Sequence, residues 1–223
     1  PQVYVAYCSF RNTSGQLYVD GYSFQSYREM FGKLGSSVVN TIKIPVISLA
    51  FILVFAVLIA YISVRRRNPL TGAVDMISMI PYIIPGTVVG IAMVSSFNRP
   101  PLILTATTAI MIISLVIRRL PYTIRSSVAT LQQIPLSIEE AAISLGSSKL
   151  KTFIRITVPM MSSGIIAGAI LSWVTLVTEL STAIFLYTAR TQTLTVAIYT
   201  QIVRGHYGVA SAMATLLTGI TIV

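Results

Sequence analysis

The chain has 223 residues, 54% of them hydrophobic and only 10% charged, and its mean hydropathy is +0.80. Soluble domains carry about a quarter charged residues, so this composition excludes a disordered chain and argues against an ordinary soluble domain. The net charge of +10 comes from basic residues set between long apolar runs, a placement that reports membrane orientation rather than a nucleic-acid partner.

Residues 1–40, rich in Tyr, Ser, Gly and Asn, are expected to form an extracytoplasmic lead-in. Pro1 to Phe10 reads as the tail of an earlier span, and Tyr27 to Leu34 as an amphipathic helix. A bilayer core about 30 Å thick takes about 20 apolar residues as a helix. Ile44 to Val64 is uncharged and ends in Arg65-Arg66-Arg67, which predicts the first span. Met76 to Val94 predicts a second, with Pro81, Pro85, Gly86 and Gly90 inside it, so neighbours must satisfy the carbonyls that the prolines free. Leu102 to Ile117 predicts a third, bounded by Pro100-Pro101 and Arg118-Arg119. Gly164 to Leu186 is a fourth, interrupted by Glu179, and Val209 to Val223 begins a fifth. The expected fold is all-α, a polytopic transmembrane helical bundle over residues 41–223. A chain that starts at Pro1 and stops inside an apolar stretch is expected to be a piece of a longer polypeptide. It opens with no signal-peptide pattern.

Arg65 to Arg67 follow the first span, and Arg118, Arg119, Arg125, Lys149, Lys151 and Arg155 lie between the third and fourth. If spans alternate, both clusters fall on one side, and the positive-inside rule makes that side cytoplasmic. Residues 118–161 are too long for a simple connection and are expected to form a cytoplasmic loop carrying two short helices. In Pro135-Leu136-Ser137-Ile138-Glu139-Glu140, Ser137 at N-cap and Glu140 at N3 have the spacing of a capping box. Ile138, Ala141, Ala142 and Leu145 recur on one helical face, and Gly146 follows as a left-handed C-cap. A second helix is expected from Ser148 to Thr157, ended by Pro159. Helices this short are marginal in water, so they need a surface to pack on.

Glu140-Ala141-Ala142, then Gly146, then Ile156 and Pro159, resemble the EAA signature of ATP-binding cassette importer permeases. That signature reads EAA, three residues, G, nine residues, I, one residue, LP; only Val158 departs, standing where leucine is usual. The resemblance covers residues 20–223 and is to the permease of a type I importer. It implies that the loop is a coupling helix docked on a cytoplasmic ATPase subunit through Glu139, Glu140, Ala141, Ala142, Gly146, Ile156 and Pro159. Glu140 would be the acidic contact. From the residues alone Glu140 reads equally as the cap of its own helix, and both readings stand. The resemblance further implies ATP-binding cassette ATPase subunits, a second permease half (fused or separate) and an extracytoplasmic substrate-binding protein. The setting is the bacterial inner membrane, and the mechanism alternating access. Val177 to Leu186 with Thr193 to Tyr199, and Arg119-Leu120-Pro121-Tyr122 with Arg125, look like the ferric-iron branch. Two permease halves are often fused there, and this chain would be the C-terminal half.

No G-x-x-x-x-G-K-[ST] phosphate loop occurs, since Gly146-Ser147-Ser148-Lys149 lacks the second glycine. With Cys8 and His206 each the single residue of its kind, neither a disulfide framework nor a zinc site can form. No cofactor, metal or nucleic-acid partner is expected, and ATP hydrolysis is assigned to a separate subunit. Glu179 is the one acid inside an expected span, which makes it a candidate pathway residue. It reads alternatively as the cap of a helix broken at Ser181, or as a partner for Arg190. The pairs Gly86/Gly90 and Gly164/Gly168 read as close helix contacts, Trp173 as a packed core residue, and His206 as an ordinary loop histidine. Competing functions are an importer of polyamine, thiamine, sulfate or phosphonate, a gradient-driven transporter using Glu179 as proton carrier, and a passive channel or scaffold.

Overall fold

A computed structural model describes residues 1–66 and 68–222, apart from the side chain of Lys33. Arg67, the last of the expected basic trio, and Val223, the last residue of the expected fifth span, lie outside the described residues. The chain forms two compact units, residues 1–46, 85–114 and 176–223 in one and 47–84 and 115–175 in the other.

The first unit opens with α1 (Gln2–Phe10) and an antiparallel hairpin of β1 (Arg11–Ser14) and β2 (Leu17–Tyr22), then enters α2 (Gln25–Arg65). This hairpin is the one strand pairing among the described residues in an otherwise helical fold. The unit closes with α11 (Leu194–Val203) and α12 (Tyr207–Ile222), and α1 packs along α12. Met30 of α2, Leu194 and Ala197 of α11, and Ala212 and Met213 of α12 are buried together as its core. Thr193 does not cap α11 with its side chain. Instead Leu194 donates its N–H to Thr41 Oγ1 at 2.7 Å, and Asn40 Nδ2 donates to the carbonyls of Arg190 and Gln192. A buried orphan donor costs about 1–3 kcal/mol, so Asn40 and Thr41 fix where α11 begins. The stretch between the expected fourth and fifth spans, after Leu186 and before Val209, therefore contains a helix. It ends on Gly205 at φ +79, with the Gly205 and His206 N–H groups donating to the carbonyls of Ile202 and Gln201. His206 Nδ1 lies 2.8 Å from Gln201 Oε1, the local partner of an ordinary loop histidine.

In the second unit the last turns of α2 lead to α3 (Pro69–Ile83). Asn68 and Thr71 exchange hydrogen bonds as a capping box, with Pro69 at the first helical position. α5 (Thr108–Gln132) starts later than the expected third span and runs straight through Arg118, Arg119 and Pro121. The loop expected from residue 118 thus begins with about four turns of helix. Leu115, Ile124 and Leu131, all buried, carry the apolar face past the arginines. Ala60, Leu131, Ile134 and Met161 form this unit's core, with Tyr61, Val64, Val128, Ile138 and Ile165 against it. α9 (Ser162–Val177) lies on α5 as the Gly164/Gly168 spacing predicts: a Cβ at Gly168 would stand 2.8 Å from Thr123 Cα, and one at Gly164 would overlap Thr130. Ser126 Oγ donates to the Gly164 carbonyl at 2.7 Å, and the Thr123 and Ser172 hydroxyls meet at 2.9 Å. The expected fourth span stops at Val177, before Glu179.

Among the described residues Leu34–Arg65 is the one helix by itself long and apolar enough to cross a membrane. Two more spans arise if α3 with α4 (Gly86–Ser96), and Lys149–Met160 with α9, each count as one.

Candidate functional site

Residues 133–161 form an elbow of short helices. α6 (Leu136–Ser144) follows Pro135, whose φ of −60° and ψ of 138° place it at N-cap with no side-chain cap. The capping box expected of Ser137 and Glu140 is therefore absent, because the helix begins one residue before Ser137 and Glu140 falls beyond its N3 position. The C-terminus forms as expected: Gly146 takes φ +91, and the Gly146 and Ser147 N–H groups donate to the carbonyls of Ile143 and Ala142. Ser148 then caps α7 (Lys149–Thr152) by accepting from the Lys151 N–H.

Pro159 does not end the second helix. The chain passes through a π turn at Phe153–Thr157 into α8 (Val158–Met160) and breaks at Met161, where α9 leaves at 67°. A proline has no N–H for the carbonyl four residues back. Here the ladder widens just before it, with the Val158 N–H reaching the Phe153 carbonyl.

What holds α6 in place is Glu139. It is 4% exposed, and its Oε1 accepts from Arg65 Nε at 2.8 Å while its Oε2 accepts from Tyr61 OH at 3.0 Å. Arg65 Nη2 also donates to the Ile134 carbonyl at 2.9 Å, at the entry to α6. The Tyr61 ring meets Phe153 edge-on, with centroids 4.7 Å apart, so one α2 turn touches both arms of the elbow. Glu139 lies in the first turn of α6, where a negative charge also favours the helix dipole.

The expected apolar face divides. Ile138 and Ala142 turn inward and are half-buried, whereas Ala141 is exposed and Leu145 is 90% exposed. Glu140, Gly146 and Pro159 are exposed, and Ile156 is half-buried. Leu136, Ile143, Leu150 and Ile154 are exposed as well. The elbow therefore presents one acid and several large apolar side chains on its free side. Arg65 and Tyr61 are site residues that the EAA spacing does not mark; their signal in the sequence is an aromatic and an arginine four apart, hence on one helix face, at the end of the clearest span.

Glu179 belongs to the first unit, in the break between α9 and α10 (Ala183–Leu186). It is 4% exposed, its Oε1 accepts from the Thr182 N–H at 3.0 Å, and its carbonyl accepts from Thr195 Oγ1 at 3.0 Å. Thr182 Oγ1 donates to the Gly86 carbonyl, and Gly90 lets Phe185 approach α4. The carboxylate thus caps at Thr182 rather than at Ser181.

Residues 52–223 match the family model described as "Binding-protein-dependent transport system inner membrane component". The chain belongs to this family. It has the family's all-α fold. The chain is 34% identical over 200 residues to the ferric transport system permease protein FbpB of Actinobacillus pleuropneumoniae. That match takes in 87% of the chain but only 29% of the relative's length. It is 25% identical over 177 residues to the sulfate transport system permease protein CysT of Salmonella typhimurium, covering 74% of the chain and 64% of that protein. In fold it resembles a chain of a bacterial ABC transporter involved in import of the polysaccharide alginate, with a TM-score of 0.72 at 17% identity. That likeness covers 91% of this chain and 82% of the other.

Proposed function

We propose that this permease forms part of an ATP-driven importer of ferric iron. Cassette ATPase subunits hydrolyse the nucleotide, a second permease half (fused or separate) completes the pathway, and an extracytoplasmic protein delivers the cargo. The observation that carries the reading is the grip on α6: Glu139 is tied to Arg65 and Tyr61 from beneath, while Glu140 and Leu145 face outward. A helix fastened on one side and bare on the other suits docking, because a push on its free face is passed to α2 through a charge-assisted contact. Glu140, Ala141, Ala142 and Gly146 form the ATPase-facing surface, and Ile156 and Pro159 shape the arm that leads back to α9. This free face is cytoplasmic by the position of Arg65 and Arg66.

The ferric cargo is supported by the 34% identity to a ferric permease, against 25% to a sulfate permease. Glu179 holds the break between α9 and α10 in shape, so its part in the pathway is to position backbone rather than to ligate iron.

The test is uptake by the full-length permease reconstituted in vesicles with its ATPase and binding protein. Labelled ferric iron is expected to accumulate only with ATP inside. Uptake that survives ATP depletion would contradict the importer, and sulfate or polyamine accumulating in place of iron would contradict the cargo.

A further inference from the structure

The second unit contains a cavity of about 270 Å³ between the end of α2, the start of α3 and α5. Its polar lining is Ser63, Asn68, Thr71, Asp75, Arg125 and Gln132. Two buried atoms of that lining, Asp75 Oδ1 and Ser63 Oγ, have no hydrogen-bond partner among the described residues. Buried polar atoms are almost always paired, so two orphans on one cavity point to an occupant. Asp75 Oδ2 is 3.3 Å from Arg125 Nη1, and Arg125 Nε donates to Met79 Sδ at 3.2 Å. Neither contact uses the second amino group of Arg125, and that side chain is half exposed. The site therefore offers an acceptor that lacks a donor and, beside it, cationic N–H groups that suit an anion.

Ser63 belongs to the last turn of the apolar segment Leu34–Arg65, at the level its basic flank marks as membrane interface. A ligand that answers both charges at that level carries an ammonium and a phosphate a few bonds apart. We propose that the cavity binds a phosphoethanolamine group, the headgroup of a zwitterionic phospholipid in the surrounding leaflet. Its ammonium donates to Asp75 Oδ1 and Ser63 Oγ, and its phosphate accepts from Arg125. The volume falls just short of the roughly 300 Å³ at which pockets for drug-sized ligands begin, which suits a small polar group. The competing occupant is water, which takes about 30 Å³ per molecule. The inference depends on neither the cargo nor the ATPase.

The test offers the full-length permease vesicles of equal parts phosphatidylethanolamine and phosphatidylglycerol, then identifies the retained lipid by native mass spectrometry after gentle detergent extraction. Wild-type protein is expected to retain the ethanolamine lipid about tenfold over the glycerol lipid. Ser63→Ala and Asp75→Asn are expected to lose that preference. A parallel arm offers free phosphoethanolamine without lipid. If it binds and no lipid is retained, the site stands and its ligand comes from the cytosol; if only the lipid binds, the source is the membrane. Equal retention of the two lipids with no binding of free phosphoethanolamine, an unchanged preference in both variants, or a cavity holding water alone would overturn the proposal. The two wild-type arms, lipid preference and binding of free phosphoethanolamine, decide the matter even if a variant fails to fold.

Discussion

Two glutamates are buried to the same depth, 4% exposed each, and are held by different means. Glu139 meets a guanidinium 74 residues away in sequence, together with a tyrosine hydroxyl on the same helix. Glu179 caps a backbone N–H only three residues ahead. The first contact joins two elements that the chain itself connects only through α3, α4 and α5. The second shapes the turn that leads into α10. Burial alone therefore does not distinguish a contact between elements from a contact within a turn; the sequence distance that the contact spans does. Cutting the tie should release the elbow, while removing the cap should loosen the turn at Thr182.

Glu139→Ala leaves Arg65 buried without its counter-charge, a change that costs about 3–5 kcal/mol. The thermal midpoint of the purified full-length permease should fall most for this variant, with the elbow becoming the earliest protease-cut segment. Glu179→Ala removes the cap on the Thr182 N–H, and that contact is worth about 1–2 kcal/mol in the same assay. Equal losses at the two sites would erase the distinction between tie and cap. Gly146→Ala forces a side chain into the left-handed region at φ +91, where open space removes any steric clash. It should cost about 1 kcal/mol through backbone strain alone. Glu140→Lys alters an exposed side chain and should leave the midpoint unchanged while abolishing transport.

The elbow was legible because the EAA spacing fixes a helix, a left-handed turn and a return arm by residue type alone. Gly146 makes the left-handed turn that its position predicts, and Ser148 stands one residue before the helix expected to start with it. The sequence could not say which of the adjacent glutamates faces inward, because neighbours on a helix differ by only about 100° and the deciding partner is on another element. The capping box failed for a related reason: Pro135, already extended, starts the helix before Ser137 can cap it. α5 hid behind its arginines. Charge ended the expected span at Ile117, yet Ile124 and Leu131 continue a buried stripe that tolerates Arg118 and Arg119 on the other faces. Of the readings open to Glu179, pathway residue, cap at Ser181 or partner of Arg190, the cap lies nearest to the geometry, displaced by one position to Thr182, since Thr182 and Ser181 are equally good cap neighbours on paper. The N-terminal hairpin left only Gly15 and Gly21 as signals, too little to predict strands in a tyrosine- and serine-rich segment.

The most direct measurement is the number of ferric ions moved per ATP hydrolysed in vesicles holding the full transporter, with wild-type protein compared with Glu140→Lys. A variant that inserts and melts as wild type, still assembles with an ATPase that turns over, but moves no iron is the predicted result. Iron movement per ATP equal to wild type would show that the free face of α6 does not transmit the ATPase stroke.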